Sequence, residues 1–317
     1  MNRPAPLSQL NATFLREGEQ AWSARRLLRW ASQMDATLPA EPGPVVGVSS
    51  ASSAFICAAT LALWRRGIAP LLLDPGLRAE PQGLGGEPLF HVTLADGARP
   101  VLPEVIQPGD APDQAADGPM LAPTWPRSHQ LAALFFTSGS TGEPTVVRKL
   151  ARQLFAQMEM ELGMLEVRRG LSVLSLAPPF HILGFVYGLF LPLLGGGHAA
   201  FSHGELQQQW LRTINARRPD LVVGVPMHYR LLARCAGSAL PRATYFSSGA
   251  PMPPPVFQAF LERAGHPIVQ GYGSTETGGI ARRAGLGAWT PFPGLRWMVE
   301  EGTGRLMVRS PWQETPE

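Results

Sequence analysis

The chain has 317 residues, 45% of them hydrophobic and 16% charged, which supplies enough apolar side chain for a sizeable core and excludes low-complexity disorder. Its net charge of +3 comes from arginines scattered among acids, with Lys149 the single lysine and no basic stripe interleaved with aromatics, so a nucleic-acid partner is not expected. Cys57 and Cys235 give neither a metal spacing nor a disulfide framework, and the N-terminus has no apolar signal core, so the expected compartment is the cytoplasm.

In chain order, an amphipathic helix is predicted over 19–37, with Trp22, Leu27, Trp30, Ala31 and Met34 on one face. A strand at 45–49, a helix at 53–66 and a strand at 69–73 read as a β-α-β unit with parallel strands and a right-handed crossover. Residues 76–127 are rich in Pro and Gly and read as loops with a weak strand at 89–94 and a candidate subdomain seam. Beyond them, strands are expected at 131–136, 172–176, 198–201, 221–224, 243–247 and 268–272. Helices are expected between them at 149–165, 182–194, 205–216, 226–236 and 254–264, and short antiparallel strands at 295–309. This alternation predicts an α/β fold of layered parallel sheets with flanking helices and a small terminal β region, its ligand sites at the carboxyl ends of strands. No Asp, Glu, Lys or Arg occurs from Leu171 to His203, but Pro178, Pro179, Pro192 and Gly195, Gly196 and Gly197 interrupt the run. No continuous apolar helix of about 20 residues remains, so a membrane span is not expected.

The most informative stretch is LFFTSGSTGEPTVVRK, residues 134–149. An apolar strand runs into Thr137, Ser138, Gly139, Ser140, Thr141 and Gly142, where glycines permit close backbone approach to an anion and N–H and hydroxyl groups donate to it. A Walker loop would need a Gly-Lys pair, and a hydrolase elbow would need G-x-S-x-G; neither is present. TSGSTGEP closely resembles the phosphate loop of the adenylate-forming superfamily, which includes acyl- and aryl-CoA synthetases, firefly luciferase and peptide-synthetase adenylation domains. In that family the loop holds the β- and γ-phosphates of ATP. The lysine usual after the proline is Thr145 here, which leaves Arg148 and Lys149 as candidate substitutes.

Three further motifs follow in the family's order. Gln270-Gly271-Tyr272-Gly273-Ser274-Thr275-Glu276 resembles its QGYGxTE segment. The resemblance implies that Tyr272 lies against adenine, that Thr275 contacts the α-phosphate and that Glu276 helps to hold Mg²⁺. An aromatic face, a hydroxyl donor and a hard carboxylate suit those tasks. Ser248-Gly249-Ala250-Pro251 resembles the GGAP turn beside adenine, and Pro178-Pro179-Phe180-His181 through Gly184 resembles the P-x-FH-x-x-G segment, whose His181 would gate the carboxylate pocket. By family position and apolar character, Phe180, His181, Phe185, Val223, Val225, Met227, Ala250 and Gly271 are the expected pocket lining.

The resemblance spans roughly residues 45–311 and implies ATP-dependent activation of a small carboxylic acid, with transfer to the thiol of coenzyme A or of an acyl carrier protein. His181 stands where amino-acid-activating relatives carry an Asp to pair with the substrate ammonium, which disfavours an amino acid. An aryl acid such as a hydroxybenzoate is the first expectation, and a medium- or long-chain fatty acid the alternative. The family's late C-terminal lysine and its ribose-binding aspartate have no counterpart, so the chain is expected to be the large AMP-binding part of such an enzyme, without its lid, a truncated core that binds acid and nucleotide but adenylates slowly. A non-catalytic nucleotide- or acyl-binding module is the other reading.

Overall fold

A β-hairpin stands where the sequence predicts the start of a helix. The computed structural model describes residues 10–77, 90–98, 102–113, 118–137, 145–164, 170–235 and 239–312. In it β1 (Thr13–Glu17) and β2 (Gln20–Ser23) pair antiparallel, and α1 is confined to Ala24–Thr37. Gly18, at φ 55°, closes the tight turn, and the Ser23 hydroxyl accepts the Arg26 N–H to cap α1. Trp22 still faces the core, stacked on Trp30 with ring centroids 5.3 Å apart.

The β-α-β unit stands as predicted: β3 (Val45–Ser49), α2 (Ser53–Arg65) and β4 (Ala69–Leu73), with β3 and β4 parallel in register. Within the Pro/Gly-rich stretch lie β5 (Thr93–Ala95) and β6 (Val105–Ile106). β7 (Leu131–Thr137) and β8 (Thr145–Leu150) follow and pair antiparallel. Together these six form one sheet in the order β6-β5-β3-β4-β7-β8. The predicted helix at 149–165 starts later, as α3 (Ala151–Met164), because Val147 and Lys149 alternate inward as a strand side by side with β7.

The second sheet is built from β9 (Ser172–Ser175), β10 (His198–Phe201), β11 (Leu221–Gly224), β12 (Thr244–Ser247), β13 (Ile268–Ser274), β14 (Gly278–Ala284) and β15 (Thr290–Pro291), with β1 and β2 at its far edge. Its order is β15-β14-β13-β12-β11-β9-β10-β1-β2. Helices α4 (Leu191–Gly195), α5 (Gln207–Arg217), α6 (Pro226–Arg234) and α7 (Pro254–Ala264) connect its strands. A short hairpin, β16 (Arg296–Val299) with β17 (Leu306–Arg309), stands apart as the terminal β region.

Helix α2 touches β1 of one sheet and β3 and β4 of the other, so it lies between them. Nearly all of its residues are buried, as an all-round apolar helix requires. Its Trp64 is 1% exposed and donates its indole N–H to the Ala132 carbonyl at 2.7 Å. No helix among the described residues is long and apolar enough to cross a membrane. The charge-free run instead folds inward as β9, β10 and a π-helical segment, Gly184–Phe190, between them. A side chain at Gly184 would collide with the Pro178 carbonyl, so glycine is what lets this segment press against the turn before it.

Candidate acid and nucleotide site

The site grows from the hairpin of β13 and β14. Gly271 lies against the Phe246 ring, where a β-carbon would collide, and this keeps β13 tight beside β12. Tyr272 then stands 47% exposed, its ring 5.7 Å from Trp289, which in turn carries the Arg283 guanidinium 4.4 Å over its face. The turn holding Thr275 and Glu276 is locked by reciprocal bonds: Thr277 N–H donates to the Ser274 hydroxyl and Ser274 N–H to Thr277 Oγ1, both at 3.1 Å.

Lys149 ties this turn to the hairpin of β7 and β8. Its ammonium, 1% exposed, donates to the Glu276 carbonyl at 2.8 Å and to the Trp312 carbonyl at 3.2 Å. It is therefore a buried clamp, which corrects its expected role as a phosphate cation; Arg148, the other candidate, is exposed on the opposite face of β8. Thr137 and Thr145 are register partners at the ends of β7 and β8. Ser138, Gly139, Ser140, Thr141 and Gly142 lie outside the described residues.

Two cavities flank Gly271, Tyr272 and Gly273. One, of about 630 Å³, is lined by Ser248, Gly249, Ser274, Thr275 and Glu276 and by Ile182, Leu183, Val186 and Tyr187 of the π-helical side. Gln157 of α3, Gly278, Gly279 and Phe292 complete its wall. The other, of about 660 Å³, contains Ala250, Pro251, Tyr272 and Trp289. Both volumes suit a small-molecule ligand. The structure thus gathers Ser248, Gly249, Ala250, Pro251, Gly271, Tyr272, Gly273, Ser274, Thr275 and Glu276 around one ridge.

The predicted acid pocket is placed differently in part. Phe185 and Val223 are fully buried in the core and line neither cavity; Met227 is exposed, and Val225 is half-buried with a methyl group 3.7 Å from where a β-carbon on Gly249 would stand. Phe180 packs on the core edge and on His181, with rings 4.9 Å apart. His181 is surface-lying beside the cavity residues Ile182 and Leu183, and partial burial of its imidazole lowers its pKa against the opposing pull of Asp74. Gln157, Tyr187, Phe292 and Trp289 carried no local signal, because each reaches the site through long-range packing.

Glu276 is an exposed carboxylate with the Thr275 hydroxyl next to it. Magnesium commonly takes one or two carboxylates and completes its shell with phosphate oxygens and water, so this turn fits the ion. Among the described residues no cluster of three or more His, Cys, Asp or Glu side chains forms an all-protein metal cage.

A family model described as AMP-binding enzyme matches residues 90–309. The chain belongs to this AMP-binding, adenylate-forming family. This AMP-binding chain is 34% identical over 181 residues to a 4-coumarate–CoA ligase of Rhodobacter capsulatus, covering 56% of this chain and 46% of that enzyme. It is 25% identical over 204 residues to a 3-hydroxybenzoate–CoA ligase of Aromatoleum, covering 58% and 39%. The matches thus span less than half the length of these curated relatives. Among solved structures, o-succinylbenzoate CoA synthetase from Bacillus subtilis superposes with a TM-score of 0.81 at 22% identity, over 98% of this chain and 70% of that one. An anthranilate CoA ligase bound to anthranoyl-AMP superposes with a TM-score of 0.77 at 18% identity, over 95% and 67%. These likenesses establish the fold: the parallel sheets and flanking helices are those of the large domain of adenylate-forming enzymes.

Proposed function

We propose that this AMP-binding chain holds ATP and an aromatic carboxylic acid side by side and forms an acyl-adenylate. The observation that carries this reading is the continuity of the first cavity, which joins the Ser274–Glu276 turn to the apolar side chains Ile182, Leu183, Val186 and Phe292. A carboxylate is a poor electrophile. Its oxygen attacks the α-phosphorus of ATP, the bond to the bridging oxygen breaks, and pyrophosphate leaves with that electron pair. A thiol then attacks the activated carbonyl and AMP departs. The thiol is that of coenzyme A or of a carrier-protein phosphopantetheine; the CoA-ligase relatives support the former.

Each residue has a task in this reading. Tyr272 offers an open aromatic face to adenine, and Gly249, Ala250 and Pro251 bring the opposite backbone close. Thr275 donates to the α-phosphate, where charge grows in the transition state. Glu276, fixed through its carbonyl by Lys149, would hold Mg²⁺, which when bound supplies countercharge to the phosphates. His181, whose pKa is lowered by partial burial, stands at the mouth of the acid site. Ser138 to Gly142 would cradle the outer phosphates, by their motif. The chain would work as the large AMP-binding part of the enzyme, in the cytoplasm.

Acid-dependent exchange of labelled pyrophosphate into ATP tests this reading. Exchange stimulated by aryl acids and abolished in Thr275→Val supports it; exchange that ignores every acid, or that fatty acids alone support, contradicts it. A non-catalytic nucleotide- or acyl-binding module is favoured by one observation, that Lys149, beside the TSGSTGEP motif, is buried as a clamp and turned to backbone carbonyls. Nucleotide and acid binding without any exchange would select it.

A further inference from the structure

The second cavity has a polar floor that stacking on Tyr272 does not use. Ser247 of β12 is the register partner of Gln270 on β13, and Gln270 is that of Arg283 on β14. The three side chains therefore stand in one row across adjacent strands, on the same face of the sheet, and all three line the cavity. Tyr272 projects from that face one side-chain repeat, about 7 Å, further along β13. The row is locked at its centre. Gln270, 3% exposed, donates its amide N–H to the Gly285 carbonyl at 2.5 Å and accepts Arg283 Nη2 on its oxygen at 3.1 Å. That bond draws the arginine back over β13, and the Trp289 ring stacks on its guanidinium at 4.4 Å. At each end of the row one atom is left over. Ser247 Oγ and Arg283 Nε are buried with no hydrogen-bond partner among the described residues.

A buried polar group without a partner is costly and uncommon in native proteins. Two of them on one cavity, beside the aromatic faces of Tyr272 and Trp289, mark where a flat ligand presents polar atoms at its rim. Arginine Nε can only donate, whereas a serine hydroxyl can also accept. The ligand edge that satisfies both carries an acceptor beside a donor, as a purine does where its 6-amino group adjoins a ring nitrogen. On the reading of Tyr272 as the adenine face, we propose that Ser247 and Arg283 are specificity-determining residues that read the edge of the base. Ser247 accepts from the 6-amino group, and Arg283 Nε donates to N1 or N7, the ring nitrogens on either side of it. Gln270 and Trp289 are positioning residues that hold the guanidinium in place. A site built for such bonds rejects the analogue that lacks them, because its own polar groups are then left unpaired.

The test compares, by calorimetric titration, AMP with nucleotides that each lack one of these groups. Purine riboside 5′-monophosphate lacks the 6-amino group, and the 1-deaza and 7-deaza analogues of AMP each lack one ring nitrogen. The wild-type chain is expected to bind AMP at least about tenfold tighter than purine riboside 5′-monophosphate and than one of the two deaza analogues. Ser247→Ala is expected to bring the first ratio to about one, and Arg283→Met the second, each binding the truncated nucleotide as the wild type does. Where Arg283→Met does not fold, Ser247→Ala alone decides. Wild-type ratios near one for every analogue, or ratios unchanged in the variants, overturn the inference; if Tyr272→Ala still weakens AMP, the adenine face stands without it. Failure of AMP to bind the wild type, or unchanged binding to Tyr272→Ala, overturns the adenine reading and this inference with it.

Discussion

Lys149 Nζ donates to the Glu276 carbonyl at 2.8 Å across 127 residues of sequence, joining β8 to the turn between β13 and β14 that carries Thr275 and Glu276. A second bond, to the Trp312 carbonyl, anchors the end of the described chain at the same point. Lys149→Met removes a buried cation and leaves both carbonyls short of a donor. The expected cost is about 3 kcal/mol, seen in thermal or urea unfolding, together with weaker Mg²⁺-ATP binding. Stability and binding both unchanged would show that the clamp is idle.

Tyr272 is half exposed, so its replacement by alanine should barely change stability. Loss of its face should raise the AMP dissociation constant about tenfold. Calorimetric titration of AMP into Tyr272→Ala checks this, and unchanged affinity would remove adenine from that face.

Thr145 starts β8 on an exposed position, directly after the motif that resembles a phosphate loop. Thr145→Lys should tighten ATP several-fold and leave AMP unaffected, because the added cation would meet only the outer phosphates. Equal effects on ATP and AMP would place the new charge elsewhere.

Burial pushes the Glu161 carboxyl up to about 7, against the smaller downward pull of the Tyr187 hydrogen bond and Arg282. Between pH 4.5, its ordinary value, and pH 7 the native chain holds a proton that the unfolded chain releases. Stability from this group is therefore full below pH 4.5, falls as pH rises to about 7, and is flat above, by on the order of 3 kcal/mol in all. Glu161→Gln should remove that slope, which urea unfolding between pH 4.5 and pH 8 would reveal. An identical pH dependence in the variant would mean that Glu161 is ionised throughout.

Much of the fold was legible wherever local pattern decides structure. The apolar run at β3, the helix of α2 and the run at β4 were bounded to within a residue because burial on both faces leaves little choice. The ridge from Gly271 to Glu276 was legible as a motif. The hairpin of β1 and β2 was not, because Trp22 suits a helix face as well as a strand face, and only the Gly18 turn and the Ser23 cap decide between them. The same holds for β8, whose strand pattern runs into α3 without a break. Phe185 and Val223 were expected in the acid pocket, and the structure puts them in the core, since apolar character alone does not say which side of a wall a residue occupies. The Tyr187 and Glu161 pair was invisible, because a hydrogen bond between distant segments leaves no period in the sequence.

The most direct measurement of the central claim, that one site holds adenylate and acid together, is the affinity of a non-hydrolysable aroyl-sulfamoyl adenosine. Joined ligands bind with far less entropic cost than separate ones, so the mimic is predicted to bind at least about a hundredfold tighter than AMP, and to lose most of that gain in Tyr272→Ala. An affinity no better than that of AMP alone would contradict the account.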